Sequence, residues 1–91
     1  MEKINLAKEY GACLSSRDSG AKLRTRIGTG NYEIDFADVI VLSHSFADEC
    51  FAVLVQDKGE EWFAENIKLI NLEPSVKYSI LEAILIRDIK K

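Results

Sequence analysis

The sequence predicts an α/β fold of three or four mostly parallel strands with about three helices, in the order β-α-β-α-β-α, on three observations. Ile4 and Leu6 alternate with Lys3 and Asn5, and Tyr32, Ile34 and Phe36 alternate with Glu33 and Asp35, which is the period of half-buried strands. Ile67 to Leu72 is a short apolar run of strand length. Between and after these segments, apolar residues recur at helical spacing: Leu23 and Ile27; Phe46, Cys50 and Leu54; Val76, Ile80 and Ile84 with Leu81 and Leu85. Strands separated by helices are joined by crossovers and lie parallel, with the helices packed on the sheet.

The first strand is expected over Lys3 to Ala7, although five residues of alternation also suit the start of a helix. Ser15-Ser16-Arg17-Asp18 places a serine three residues before an acid, a capping-box pattern, and leads into a first helix over Ser19 to Ile27. Gly20 inside that helix costs about 1 kcal/mol relative to alanine and predicts a loose first turn. Gly28-Thr29-Gly30 stops the helix and turns the chain into the Tyr32 strand. The second helix is expected from about Ser45 to Gln56, ended by Asp57-Lys58-Gly59. Its first-turn N–H groups need a hydroxyl cap, Ser43 or Ser45, and both serines are accounted for if they do nothing else. Glu60 to Asn66 has no single period; Trp62 and Phe63 adjoin, so one faces the core while the other seals an edge or stands exposed as a contact residue. The third strand, with both faces largely apolar, reads as interior and covered by helices. Pro74 suits the first turn of the last and most strongly patterned helix.

Ninety-one residues form a single domain, residues 1–91, and 47% apolar content is enough for one modest core. A net charge of −3 disfavours nonspecific binding to nucleic acid, which draws on clustered lysine and arginine. No apolar run approaches the roughly 20 residues of a membrane span, and Met1-Glu2-Lys3 leads straight into patterned sequence, so a cytoplasmic protein is expected. Cys13 and Cys50 are too few for a disulfide scaffold and read as reduced apolar residues; with one histidine they do not complete a zinc site, and no metal or cofactor is expected.

Function is placed where the Tyr32 strand passes through an acidic turn into Ser43-His44-Ser45-Phe46-Ala47-Asp48-Glu49. In parallel sheets, binding gathers at the carboxyl ends of strands, where helix N-termini point outward. A nucleophile-base pair of Ser45 and His44 is disfavoured, because adjacent residues project differently and no Gly-x-Ser-x-Gly elbow is present. In the first helix, Lys22 and Arg26 flank one side of the apolar stripe and Arg17 and Arg24 the other. They form either a rim whose stems cover the core edge or a patch for an acidic partner or phosphate, with Arg17 the favoured contact.

The segment Ile34-Asp35-Phe36-Ala37-Asp38-Val39, followed by Ser43-His44-Ser45-Phe46-Ala47-Asp48-Glu49, resembles the core of the STAS-like family of small bacterial domains of unknown function, distant relatives of the anti-sigma factor antagonists. The resemblance extends to Leu14-Ser15-Ser16-Arg17 and to Ile67-Lys68-Leu69-Ile70-Asn71. In the better-known relatives, as the resemblance implies, an aspartate-serine-serine-glycine run opens the equivalent helix. One of its serines is phosphorylated by a partner kinase of the ATPase superfamily that includes histidine kinases. Ser43 then matches the aspartate, His44 and Ser45 the two serines, and Phe46 the glycine. The resemblance therefore implies a non-enzymatic, regulatory protein-interaction module. Its candidate phosphorylation sites are Ser45 and Ser43, its candidate partner contacts His44, Phe46, Asp48 and Arg17, and its partner a histidine-kinase-like ATPase. A phosphate on Ser45 would add about −1.5 to −2 charges at a helix N-terminus, with Asp48 and Glu49 opposing it, and release of a partner is the expected sign. The alternatives are a nucleic-acid-associated accessory protein acting through the first helix, and a small enzyme.

Overall fold

A computed structural model describes residues 1–89 of the chain. They run β1 (Glu2–Asn5), α1 (Leu6–Tyr10), β2 (Cys13–Leu14), α2 (Arg17–Ile27), β3 (Tyr32–Asp35), β4 (Val41–Leu42), α3 (His44–Ala47), a π-helical turn (Asp48–Ala52), α4 (Val53–Lys58), α5 (Glu60–Asn66), β5 (Ile67–Ile70) and α6 (Pro74–Ile89). The α/β class and the parallel strands are as the sequence predicts. Beyond the predicted elements come α1, α5 and a second, two-stranded ladder.

The main sheet has the order β1-β3-β5, all parallel. Its register places Ile4, Ile34 and Leu69 on one rung and Lys3, Glu33 and Lys68 on the next. The first rung turns to the helices, with Ile4 and Ile34 fully buried. The second faces outward, where Lys3 and Lys68 approach Glu33 at 4.0 and 3.9 Å. Strands taken in chain order across a sheet, with crossovers of one hand, put the helices on one face. The sheet is therefore covered on one side only, and β5 is an edge strand rather than the interior strand predicted. Its apolar second face misled the sequence argument: Lys68 is exposed and Ile70 only half-buried.

The first strand stops at Asn5, whose Oδ1 accepts the Lys8 N–H at 3.0 Å and caps α1, so Leu6 enters the core from a helix. The first long helix, α2, begins at Arg17 with Ser16 as cap, accepting the Ser19 N–H at 3.3 Å. Gly20 does not loosen it. A Cβ there would lie 2.9 Å from the Phe46 carbonyl oxygen and 3.3 Å from Glu49 Cβ, so the missing side chain is what lets α2 approach the Phe46 to Glu49 backbone. Packing across that contact outweighs the local propensity cost.

The predicted helix over Ser45 to Gln56 is a longer column, His44 to Lys58, with a π turn inside it: the Val53 N–H donates to the Asp48 carbonyl five residues earlier. The widened turn brings consecutive residues inward, so Cys50, Phe51 and Ala52 are all buried. The column is packed against α2 on one side and α6 on another. Phe51 joins it to the rest of the core, 6.1 Å between ring centroids from Phe36 and 6.3 Å, edge-on, from Phe63. Gly59, at φ 95°, makes the corner into α5. Both aromatic residues there are half-buried, and Lys58 Nζ lies 5.6 Å over the Trp62 ring.

Candidate functional site

The site begins where β2 and β4 pair in parallel, Cys13 beside Val41 and Leu14 beside Leu42. Each strand has only two residues, too few to leave a periodic signal. The ladder sets the turn that opens α2 beside the turn that opens α3. Ser43 fastens the two: its N–H donates to the Leu14 carbonyl at 2.8 Å and its Oγ donates to the Ser15 carbonyl at 3.0 Å. The same Oγ accepts the Phe46 N–H at 3.1 Å, so Ser43 is the cap of α3. Of the two serines weighed as cap, Ser43 fills the role and leaves Ser45 without it. Ser45 is half-buried on the first turn, and its hydroxyl makes no hydrogen bond among the described residues; His44 beside it is exposed.

One turn further lies an ion network joining three helical elements. Asp48, in the π turn, is 7% exposed and the only buried charged residue among those described. Arg87 from α6 grips both its oxygens, Nε to Oδ1 at 2.8 Å and Nη2 to Oδ2 at 2.7 Å, and Arg17 Nη1 reaches Oδ2 at 3.0 Å. Arg87 also donates to Gln56 Oε1 at 3.3 Å. Glu49 is held at 2.6 Å by Arg24, which also donates to the Glu49 carbonyl, and at 3.3 Å by Arg17. The hydrogen bonds from Arg87, aided by Arg17, bring the Asp48 carboxyl down to about 2 against the opposing effect of burial. Arg24 likewise lowers Glu49, and the bond to Asp48 raises Arg17. Both carboxylates are therefore ionised at neutral pH, and three guanidinium groups face two carboxylates.

This geometry corrects two contact residues drawn from the sequence. Phe46 is fully buried in the core and offers no surface to a partner. Its place in the aligned run is apolar because α3 turns it inward, and the close backbone approach at this point belongs to Gly20 inside the chain. Asp48 is likewise committed to Arg87 and Arg17, so neither it nor Glu49 stands as an uncompensated charge against a phosphate. Arg17 keeps a half-exposed side chain and lines a shallow concavity with His44, Asp48, Gln56, Ile86 and Arg87. Ser43, Ser45, His44 and Arg17 are the predicted residues that remain at the surface, Ser43 with its hydroxyl engaged.

Sequence reasoning passed over Arg87, and it placed Arg24 on the flank of α2 without a signal for its pairing with Glu49. Arg87 had a signal: it follows Val76, Ile80 and Ala83 at steps of four, three and four along the buried stripe of α6, where a charge needs an internal partner. Arg24 had none, because its role depends on the helix crossing at Gly20.

At the carboxyl ends of β3 and β5, Asp35 Oδ1 accepts the Ala37 N–H and the Asn71 amide, each at 2.8 Å, and Asn71 chiefly lowers its carboxyl. Asp38 and Asn71 adopt positive φ, 65° and 57°, and border an open concavity with Ile40 and Glu73. Among the described residues, no group of three or more His, Cys, Asp or Glu side chains is placed to hold a metal ion, and no helix is long and apolar enough to cross a membrane.

No curated protein and no solved structure matches the chain. A family model described as a STAS-like domain of unknown function (DUF4325) matches residues 19–77. The match runs from the first turn of α2 through the Ser43 junction and β5 into the first turn of α6, and leaves out both cations on Asp48, Arg17 before its start and Arg87 well beyond its end. It takes in more than half of the sequence, and with the parallel α/β fold it establishes that the chain belongs to this family of STAS-like domains.

Proposed function

We propose that this chain is a non-enzymatic regulatory domain that binds a protein partner through the start of α3, and that phosphorylation of Ser45 by an ATPase-type kinase partner releases that contact. The observation that carries the proposal is the division between the two serines. Ser43 is spent on the cap and on the Ser15 carbonyl, while the hydroxyl of Ser45, the residue matched to a family phosphoserine, is unengaged.

A phosphate at Ser45 would add about −1.5 to −2 charges on the first turn of a helical column, where the backbone N–H groups favour an anion. Nearby, Asp48 and Glu49 are already neutralised by Arg17, Arg24 and Arg87, so the fold tolerates the charge. A partner packed on the uncharged hydroxyl and on His44 would have to desolvate it, and the complex would open. A catalytic role for Ser45 has less support, since His44 accepts no hydrogen bond from it. A nucleic-acid role for α2 also has less support, because its cations are engaged: Arg17 and Arg24 as above, Lys22 with Asp18 at 3.1 Å and Arg26 with Glu9 at 2.9 Å.

The test is affinity capture from a lysate of the native host, using the wild type, Ser45→Ala and Ser45→Asp. The expected result is an ATPase-class protein retained by the first two and depleted on Ser45→Asp; equal retention by all three would refute control through Ser45.

A further inference from the structure

The last helix has two apolar faces, and the fold uses one. Val76, Ile80 and Ala83 are buried against the domain, with Arg87 on the same stripe. At about 100° per residue, Tyr78, Leu81, Leu85 and Ile89 fall on the opposite side of α6. They are 66, 49, 61 and 81% exposed, the greater part of the large apolar surface that the described residues leave in water. Four such side chains in one stripe make a patch of a few hundred Å2, the size at which exposed apolar surface marks an interaction site.

We propose that this stripe is the seat of a second copy of the chain, the two α6 helices lying side by side and parallel about a two-fold axis. The choice of occupant and of direction rests on charge. The stripe follows a heptad course through Tyr78, Leu81 and Leu85; the next seam position is the charged Asp88, so the seam closes there with Ile89 at its edge, and Lys77 and Glu82 flank it on opposite sides, five residues apart. In a parallel pair, residues with this relation face each other across the seam, so Lys77 of each copy meets Glu82 of the other, and one symmetry operation makes two ion pairs. In an antiparallel pair centred on the stripe, Glu82 would instead lie near its own counterpart. Neither Lys77 nor Glu82 makes an ion pair or side-chain hydrogen bond among the described residues, so both are available. Because the stripe points away from the core, the two domains lie on opposite sides of the helix pair and do not collide. The area buried, roughly 1,000 Å2 over both copies, is at the low end for a specific interface, the size class of weak and reversible association.

Sedimentation equilibrium of the full chain over a range of micromolar concentrations tests this, with far-UV circular dichroism to confirm the fold of each variant. The wild type is expected to show a reversible monomer-dimer equilibrium. Leu85→Glu, at an exposed position, should sediment as a folded monomer. Lys77→Glu should weaken association on the order of ten-fold by setting two pairs of like charges against each other, and Lys77→Glu combined with Glu82→Lys should restore it. A wild type that remains monomeric throughout would overturn the proposal, as would a dimer indifferent to Leu85→Glu. A double charge reversal that fails to recover the dimer would overturn the parallel arrangement.

Discussion

Arg87 holds both carboxylate oxygens of Asp48 across 39 residues of sequence, at 2.8 and 2.7 Å, and so ties the last helix to the π turn behind the Ser43 junction. The pair, with Arg17 as second cation, is what allows a carboxylate to sit 7% exposed among apolar side chains.

The pH dependence of stability follows from that pair. The Asp48 carboxyl is held at about 2 in the fold against an ordinary 3.8. A carboxyl lowered on folding stabilises fully above its unfolded value and loses that contribution as pH falls through its folded value. Asp48 should therefore contribute about 2 kcal/mol at neutral pH, lost between about pH 4 and pH 2. Asp35 and Glu49, also lowered, add to the loss in the same direction. Urea unfolding at a series of pH values is expected to show a flat midpoint from pH 7 to about 5 and a fall below it. In Asp48→Asn the fall should be shallower, and an identical pH profile would remove Asp48 from the explanation.

Gly20 gives an inverted helix-propensity result. Gly20→Ala should gain about 1 kcal/mol from propensity yet destabilise the protein by about 1–3 kcal/mol net, because the new methyl meets the Phe46 carbonyl at 2.9 Å, and backbone does not move aside cheaply. Gly30→Ala is the control: its Cβ would lie 3.7 Å from the nearest atom, on the Tyr32 ring, and its φ is not positive, so a change within about 0.5 kcal/mol is expected. Chemical denaturation of both variants decides it; a stabilised Gly20→Ala would show that the helix contact is looser than described.

The two serines at the α3 start should separate in stability. Ser43→Ala removes the cap and the tie to Ser15 and should cost about 1 kcal/mol or more, whereas Ser45→Ala should stay within about 0.5 kcal/mol. Equal costs in denaturant titrations would mean that Ser45 shares the structural role.

The thiols should differ in reactivity. Cys13 is exposed and Cys50 is buried, with burial pushing its thiol up, away from the reactive thiolate. Titration with a thiol reagent is expected to modify Cys13 in the native protein and both cysteines only in denaturant. Rapid native labelling of Cys50 would point to opening of the π turn.

The parts of this fold legible in the sequence are those with a period. Ile4, Ile34 and the stripe through Val76 and Ile80 place the strands and the long helix because alternation and helical spacing survive over several residues. What was not legible lacks that length or depends on tertiary contact. The pairing of Cys13-Leu14 with Val41-Leu42 is too short to have a period, and the π turn over Asp48–Ala52 shifts the helical phase where the apolar run Cys50 to Val55 begins. Gly20 reads as a weakness until Phe46 is seen against it. At the site, Ser43, His44 and Ser45 were singled out because a strand running into a serine-rich helix start is a local pattern, and Arg17 separately, for its place beside the apolar stripe of α2. The burial of Phe46 and Asp48 was not legible, since it is set by α2 and α6 from distant sequence.

The most direct test of the functional account is the intact mass of the purified protein after incubation with native-host lysate and Mg-ATP, followed by peptide mapping, with Ser43→Ala and Ser45→Ala in parallel. A single added phosphate on Ser45 is expected, retained in Ser43→Ala and absent from Ser45→Ala. No added mass, or a phosphate placed on another residue, would contradict a switch at Ser45.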